Sequence, residues 1–209
     1  LTKSFNKKEV LSDLSFSVKK GEIFGLVGRS GSGKSVLIKT LIGFYKPKRG
    51  KVFFEAEGKN PIGFSMQENS LYENLTMMQN LHFFSKIYNV EKKEADKIIN
   101  YYTAKFNLSE FTKKKISNLS GGTKKRVDII CALLNNPEIV IFDEPFLGLD
   151  PSLVNSLLEV IVDLKKAGRT SIISSHILNG FSDICDRIFF LNQGKLLQIQ
   201  KSNLNKIYD

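Results

Sequence analysis

The sequence predicts an α/β protein, a layered core around a mostly parallel sheet with an antiparallel β region and an inserted helical subdomain. Three patterns predict it. Two continuous apolar runs, Ile23-Phe24-Gly25-Leu26-Val27 and Ile139-Val140-Ile141-Phe142, suit parallel strands covered on both faces. Helical periods follow each of them. Between the two, the apolar period becomes helical from Leu75, so that residues from about Asn69 to Asn118 make a mainly helical insertion.

Taken in order, the chain opens on an alternation. Leu14, Phe16 and Val18 are apolar between Ser15, Ser17 and Lys19, which predicts a half-buried strand after a turn at Lys7-Lys8. The apolar run at 23–27 leads into GRSGSGKS at 28–35, and Ser35-Val36-Leu37-Ile38-Lys39-Thr40-Leu41 then reads as a helix. Val52-Phe53-Phe54 predicts another short strand. Thr76-Met77-Met78-Gln79 is a capping box that opens a helix with Met77, Leu81, Phe84 and Tyr88 on one face. A second helix carries Ala95, Ile98, Ile99, Tyr102 and Phe106. Met and aromatic stripes at this spacing predict core packing. Val127, Ile130, Cys131 and Leu134 make a helix that stops at Asn135-Asn136-Pro137. Asp150 and Pro151 are N-cap and first residue of a helix holding Leu153, Leu157, Ile161 and Leu164, closed by Gly168. Ser171-Ile172-Ile173-Ser174 is a strand, and Ile188-Phe189-Phe190-Leu191 and Leu196-Leu197-Gln198-Ile199 flank Asn192-Gln193-Gly194 as a hairpin. The expected organisation is one domain over 1–209, with residues 1–67 and 119–209 forming the α/β core and 68–118 the helical insertion.

A chain of 209 residues with 42% hydrophobic composition can bury one substantial core. Lys, Asp or Glu interrupts every apolar stretch before the roughly 18 residues that a membrane span needs. A membrane role therefore requires another chain to hold this one there. The first residue is Leu1 and no charged-then-apolar leader precedes the fold, so the expected setting is the cytoplasm, as a protein or an excised domain. Cys131 and Cys185 match no metal-ligand spacing and are expected as small core residues. The net charge is +10, densest at Lys113-Lys114-Lys115 and Lys124-Lys125-Arg126. No aromatic-interleaved basic groove accompanies these clusters, so solvated surface is expected and no nucleic-acid partner.

The chemistry starts at 28–35. GRSGSGKS fits G-x-x-x-x-G-K-[ST], the loop that cradles the phosphates of ATP or GTP. Its glycines let successive backbone N–H groups point at an anion, Lys34 reaches the terminal phosphates, and the Ser35 hydroxyl takes a place on Mg²⁺. The helix that follows puts its N-terminus behind the phosphate. Asp143 and Glu144 come directly after the second apolar strand, so both carboxylates emerge at the carboxyl edge of the sheet, beside that loop. One can hold the Mg²⁺ shell and the other polarise a water for in-line attack on the γ-phosphate. LSGGT at 119–123 opens a helix near Lys124 and offers a second anion site. Basic Lys124, Lys125 and Arg126 in a first turn oppose the helix dipole, which fits a polyphosphate arriving there. His176 follows strand 171–175 at the same sheet edge, where a phosphate contact is expected.

With these elements in place, the chain resembles the nucleotide-binding domain of the ATP-binding cassette (ABC) family over essentially its whole length. GRSGSGKS, with Gly28, Arg29, Ser30, Gly31, Ser32, Gly33, Lys34 and Ser35, looks like the Walker A of that family. Gln67, after Gly63-Phe64-Ser65-Met66, looks like the Q-loop glutamine. LSGGT, with Ser120, Gly121 and Gly122, resembles the signature. Residues 139–144 resemble Walker B with its catalytic glutamate, Gly148-Leu149-Asp150 the D-loop, and His176 the switch histidine. Phe5 is similar to the aromatic that stacks on adenine. Thr123 stands where Gln is commonest, Phe146 replaces a usual small residue, and the stretch 54–67 is short for the family.

The resemblance implies a P-loop NTPase (RecA-like) core that hydrolyses ATP with Mg²⁺. It implies Glu144, His176 and Gln67 as catalytic residues, and Ser35, Gln67 and Asp143 around the metal. It also implies a head-to-tail dimer with a second cassette, in which the signature of one chain closes on the P-loop nucleotide of the other. LYENLT at 71–76, NLHFF at 80–84 and FLGLDP at 146–151 look like exporter-type cassettes, and the chain stops soon after Ile199, short of a regulatory domain. The expectation is the ATPase subunit of an exporter, peripheral on the inner face of a membrane and bound to a transmembrane permease subunit or domain. A groove rim at 68–75, with Leu71 and Tyr72 as apolar anchors, is the expected contact. The alternative is a soluble ABC ATPase of the iron–sulfur assembly, repair or translation type. Repair types need long heptads that the insertion lacks, and translation types pair two P-loops in one chain. A GTPase wants Asn-Lys-x-Asp, which Asn205-Lys206-Ile207-Tyr208 misses.

Overall fold

The computed structural model describes residues 1–6, 8–56, 61–176 and 180–203. An antiparallel ribbon of β1 (Lys3–Phe5) and β2 (Lys8–Leu11) precedes the central sheet. That sheet holds β3 (Ile23–Val27), β4 (Ile62–Ser65), β5 (Ile139–Asp143), β6 (Thr170–Ser175), β7 (Arg187–Asn192) and β8 (Lys195–Ile199), in the order β4-β5-β6-β3-β7-β8. Every neighbouring pair is parallel except β7 with β8. Those two are joined through Gln193 (φ 47°) and Gly194 (φ 75°), the left-handed pair that a two-residue hairpin needs.

Helices cover both faces of the sheet, as buried parallel strands require. Alternate residues of each strand point to opposite sides. Phe24, Leu26, Ile141, Ile172 and Leu191 meet Leu37, Ile38 and Leu41 of α1 (Lys34–Leu41). Ile23, Val27, Val140, Phe142 and Ile173 meet a larger cluster built with α4 (Gly121–Leu133) and α5 (Pro151–Lys166). Between these lie α2 (Met77–Ile87) and α3 (Lys92–Lys105), whose Met77, Leu81, Ala95 and Ile99 join the same cluster. A short α6 (Phe181–Ile184) leads into β7. Cys131 and Cys185 are buried free thiols, and burial is the main cause pushing the Cys185 thiol up to about 12.

Local signals place the helix ends. Thr76 Oγ1 accepts from Gln79 N–H while Gln79 Oε1 accepts from Thr76 N–H, a complete capping box. Asp150 Oδ1 accepts from Leu153 N–H at 3.0 Å with Pro151 behind it. Gly168 at φ 75° ends α5 by donating to Lys165 O, with Arg169 N–H reaching Leu164 O.

Two strand expectations fail. Residues 14–18 alternate in burial, and Phe16 stacks on Phe24 at 5.4 Å, yet they belong to no strand. The same holds for 52–54, where Phe53 is 81% exposed between partly buried Val52 and Phe54. Alternation reports which side chains meet the core, and a strand also needs a neighbouring backbone. Lys7 of the expected Lys7-Lys8 turn lies outside the described residues, as do 205–208. LSGGT opens its helix earlier than expected, at Gly121 with Ser120 as N-cap.

One contact sets how α4 lies on the sheet. A Cβ on Gly63 of β4 comes within 1.9 Å of Ala132 O and 2.8 Å of Pro137 Cγ, so only glycine admits this close approach. Gly63→Ala is expected to destabilise the fold by at least about 2 kcal/mol. A clear fall in the urea midpoint checks this, and an unchanged midpoint contradicts it.

Candidate functional site

Parallel strands β3, β5 and β6 are neighbours, so the segments after their carboxyl ends share one edge of the sheet. The P-loop follows β3, Asp143 closes β5 with Glu144 next, and His176 follows β6. One cleft of ≈ 440 Å³ is lined by Ser30, Gly31, Gly33, Lys34, Ser35, Gln67, Glu144 and His176, with Val10 and Leu147 at its margin. An adjoining cleft of ≈ 530 Å³ is lined by Ser35, Gln67 and Asp143 among others.

The loop has the backbone that anion binding asks for. Gly31 (φ 76°) and Gly33 (φ 106°) are left-handed, and Gly33 is the N-cap of α1. A Cβ on Gly28 comes within 2.6 Å of Leu191 O and 2.7 Å of Ser32 Oγ. Arg29 and Ser30 are exposed, while the Ser32 hydroxyl is buried with no partner among the described residues. Lys34 is 6% exposed, and its ammonium donates to Gly28 O at 2.8 Å and Arg29 O at 3.3 Å.

Glu144 is the centre of the charge arrangement. Its Oε1 lies 3.1 Å from Lys34 Nζ, and its Oε2 lies 2.7 Å from His176 Nδ1 and accepts from His176 N–H at 3.2 Å. Its backbone is left-handed at φ 49°, a conformation that costs an L residue about 1–3 kcal/mol and persists only where neighbours impose it. Ser174 is one such neighbour, accepting from Glu144 N–H at 2.9 Å and donating to Asp143 Oδ1 at 2.6 Å. The sequence reading passed over this serine. Its only local sign is its place in the β6 run two residues before His176.

Asp143 is fully buried, and its second oxygen, Oδ2, has no partner among the described residues. Ser35 hydroxyl, Gln67 amide oxygen and Asp143 carboxylate are hard oxygen donors lining one cleft, the set that suits Mg²⁺ shared with phosphate oxygens. The residues fit that ion.

The remaining sequence-predicted residues stand apart from this cleft. Ser120 is exposed at the start of α4, where its Oγ accepts from Thr123 N–H at 3.3 Å and shares a 2.8 Å hydrogen bond with Thr123 Oγ1. Gly121 is exposed, and a Cβ on Gly122 comes within 2.7 Å of Gly148 O, so signature and D-loop touch within one chain. Asp150 caps α5 and is exposed. Phe5, 38% exposed, packs edge-on against Tyr45 at 5.1 Å with Lys3 Nζ 4.8 Å from its ring centre, and lines neither cleft. Phe146 is 2% exposed and meets Phe181 at 5.5 Å, so its bulk in place of a small residue fills the core.

Two expectations need correction. The basic side chains at the start of α4 are neither solvated surface nor free for an anion: Lys124 pairs with Glu73 at 2.9 Å, while Lys125 and Arg126 are buried on backbone carbonyls. Long side chains reach past the dipole to acceptors far away in sequence. Leu71 is 8% exposed inside the main cluster and is no surface anchor, whereas Tyr72 is 49% exposed against Phe83 at 4.8 Å.

Residues 11–147 match the family model described as ABC transporter. The chain belongs to the ABC transporter family. It is 37% identical over 207 residues to the linearmycin resistance ATP-binding protein LnrL of Bacillus subtilis, an alignment covering 95% of this chain and 67% of LnrL. A solved ATP-binding subunit of an ABC transporter superposes with TM-score 0.89 at 29% identity, over 100% of this chain and 90% of that one. A dimeric cassette in a post-hydrolysis state with ADP and Pi superposes with TM-score 0.83 at 25% identity over 95% of both. This cassette is an ATP-hydrolysing component of an ABC transporter, with the α/β P-loop fold of that family.

Ser174→Ala leaves the buried Glu144 N–H and Asp143 Oδ1 each short of a partner. The expected cost is about 1–3 kcal/mol of stability, with ATPase turnover lower by roughly tenfold to a hundredfold from the loosened Glu144 turn. Urea unfolding and steady-state ATPase rates read both, and wild-type turnover contradicts the bridging role.

Proposed function

We propose that this chain is the ATPase subunit of an export-type ABC transporter, working as a head-to-tail pair of cassettes. The observation that carries it is the gathering of Lys34, Ser35, Gln67, Glu144 and His176 on one cleft from which Ser120 and Gly121 are absent. Such a site has a phosphate cradle, a base and a metal position, and lacks the signature turn, so a second cassette supplies it. That second chain is this protein again or a similar cassette. The dimeric solved relative and the resistance function in the name of LnrL support this reading.

The chemistry follows from the charges. Gly28, Arg29, Ser30, Gly31, Ser32, Gly33, Lys34 and Ser35 bind the nucleotide, with Lys34 as the buried cation nearest the terminal phosphates. Phe5 offers a π face to adenine. Ser35, Gln67 and Asp143 would hold Mg²⁺, which would supply charge neutralisation for the phosphates. An arriving triphosphate competes with Glu144 for Lys34. Freed of that ammonium and oriented by His176, the Glu144 carboxylate accepts the proton of the attacking water. Ser120, Gly121 and Gly122 from the opposing chain, with Asp150 at the D-loop, close the site. A transmembrane permease subunit or domain on the inner face of a membrane receives the motion, with Tyr72 at its contact. No helix among the described residues is long and apolar enough to cross a membrane.

Glu144→Gln removes the charge that competes for Lys34 and the base at once. Mg·ATP is expected to bind at least as tightly as to wild type, while hydrolysis falls by on the order of 10²–10⁴. A dimer should accumulate in ATP. Fluorescent ATP titration, phosphate release and size-exclusion chromatography check the three effects. Unchanged turnover removes Glu144 from catalysis.

A further inference from the structure

Signature and cleft lie on different elements, and α4 is the element that touches both. Two charged side chains on α4, Lys125 and Asp128, are 6% and 4% exposed. Lys125 Nζ donates to Met66 O and, at 3.3 Å, to Asp143 O. Each carbonyl belongs to the peptide bond immediately before a cleft residue: Met66 O precedes Gln67, and Asp143 O precedes Glu144. The Asp143–Glu144 peptide is thereby held at both ends, its C=O by Lys125 and its N–H by Ser174 Oγ. Asp128 accepts from Ser65 Oγ on one oxygen and, at 3.1 Å, from Ser70 N–H on the other. The loop carrying Gln67 is thus gripped before and after the glutamine from a single helix.

Burying an ammonium and a carboxylate is costly, and apolar side chains of similar volume often serve stability as well or better. What the charged pair supplies here is geometry. A helix is stiff over one and a half turns, so a displacement of Ser120 at the N-cap reaches position 125 undiminished.

We propose that Lys125 and Asp128 are positioning residues that tie the signature helix to Gln67 and to the Glu144 turn. Engagement of Ser120 by the opposing nucleotide then sets the two cleft residues in one movement. The proposal rests on the roles given above to Gln67 and Glu144, and adds the link between them.

The test uses the full chain with Mg·ATP under conditions where the wild type turns over. Lys125→Met is expected to lower kcat roughly tenfold to a hundredfold, with the KM for ATP changed less than about threefold. Lys125→Met combined with Asp128→Leu removes these two charges together; with its folding checked by urea unfolding, it should show the same selective loss of kcat. The chain has no tryptophan, so Glu68→Trp gives a single reporter beside Gln67. Its fluorescence anisotropy should fall when Lys125→Met is added. Gln67→Ala runs alongside. Low turnover in Gln67→Ala with wild-type kcat in the folded double variant overturns the link and leaves Gln67 in place. Wild-type turnover in both overturns the Gln67 assignment and the link with it. Equal losses of kcat and ATP affinity also overturn it, since a merely structural pair predicts that outcome.

Discussion

Glu144 leaves β5 with a left-handed backbone at φ 49°, and the segments after β3, β5 and β6 converge on that turn. Its carboxylate lies between Lys34 and His176, while its N–H is tied to Ser174. None of these contacts is possible unless three parallel strands end side by side at one edge, which the order β5-β6-β3 provides. The strained turn and the sheet order therefore explain each other. The sheet supplies the partners, and the partners hold a conformation that an isolated peptide rarely adopts.

The same region shows how a buried charge network can be poised for change. Lys34 is satisfied by two loop carbonyls and one carboxylate, so its cationic charge is available to a stronger anion without leaving the loop. Glu144 has His176 as a second partner, independent of Lys34. Behind the cleft, Lys125 of α4 reaches the carbonyls of the peptide bonds preceding Gln67 and Glu144, so the helix that opens at the signature is hydrogen-bonded to the backbone on which both cleft residues sit.

Much of this fold was legible from local pattern. Thr76 with Gln79, Asp150 with Pro151, and Gln193-Gly194 are signals whose partners lie within a few residues, and each forms the expected cap or turn. The motif spacing likewise located the loop at 28–35 and the acids after β5. What escaped depends on distance along the chain. Lys125 meets Met66 across 59 residues, and Asp128 meets Ser65 and Ser70 across 63 and 58. Read locally, Lys125 belonged with Lys124 and Arg126 to a first turn at odds with its dipole, and Asp128 carried no local signal. Leu71 and the alternating segment 14–18 show a second limit. Polarity of the flanking residues did not reveal that Leu71 turns inward, and period-2 burial did not supply a strand partner at 14–18.

The account makes each chain half of two composite sites, because the exposed signature residues Ser120 and Gly121 do not line the cleft of their own chain. A mixing experiment addresses this most directly. Chains carrying Lys34→Ala lack the cradle, and chains carrying Ser120→Arg lack the signature; each alone should hydrolyse ATP at background rate. Mixed, they should regain activity up to one working site per dimer, formed by the intact cradle of one chain and the intact signature of the other. Activity that stays at background across all mixing ratios, while each variant still pairs with wild type, contradicts the composite site.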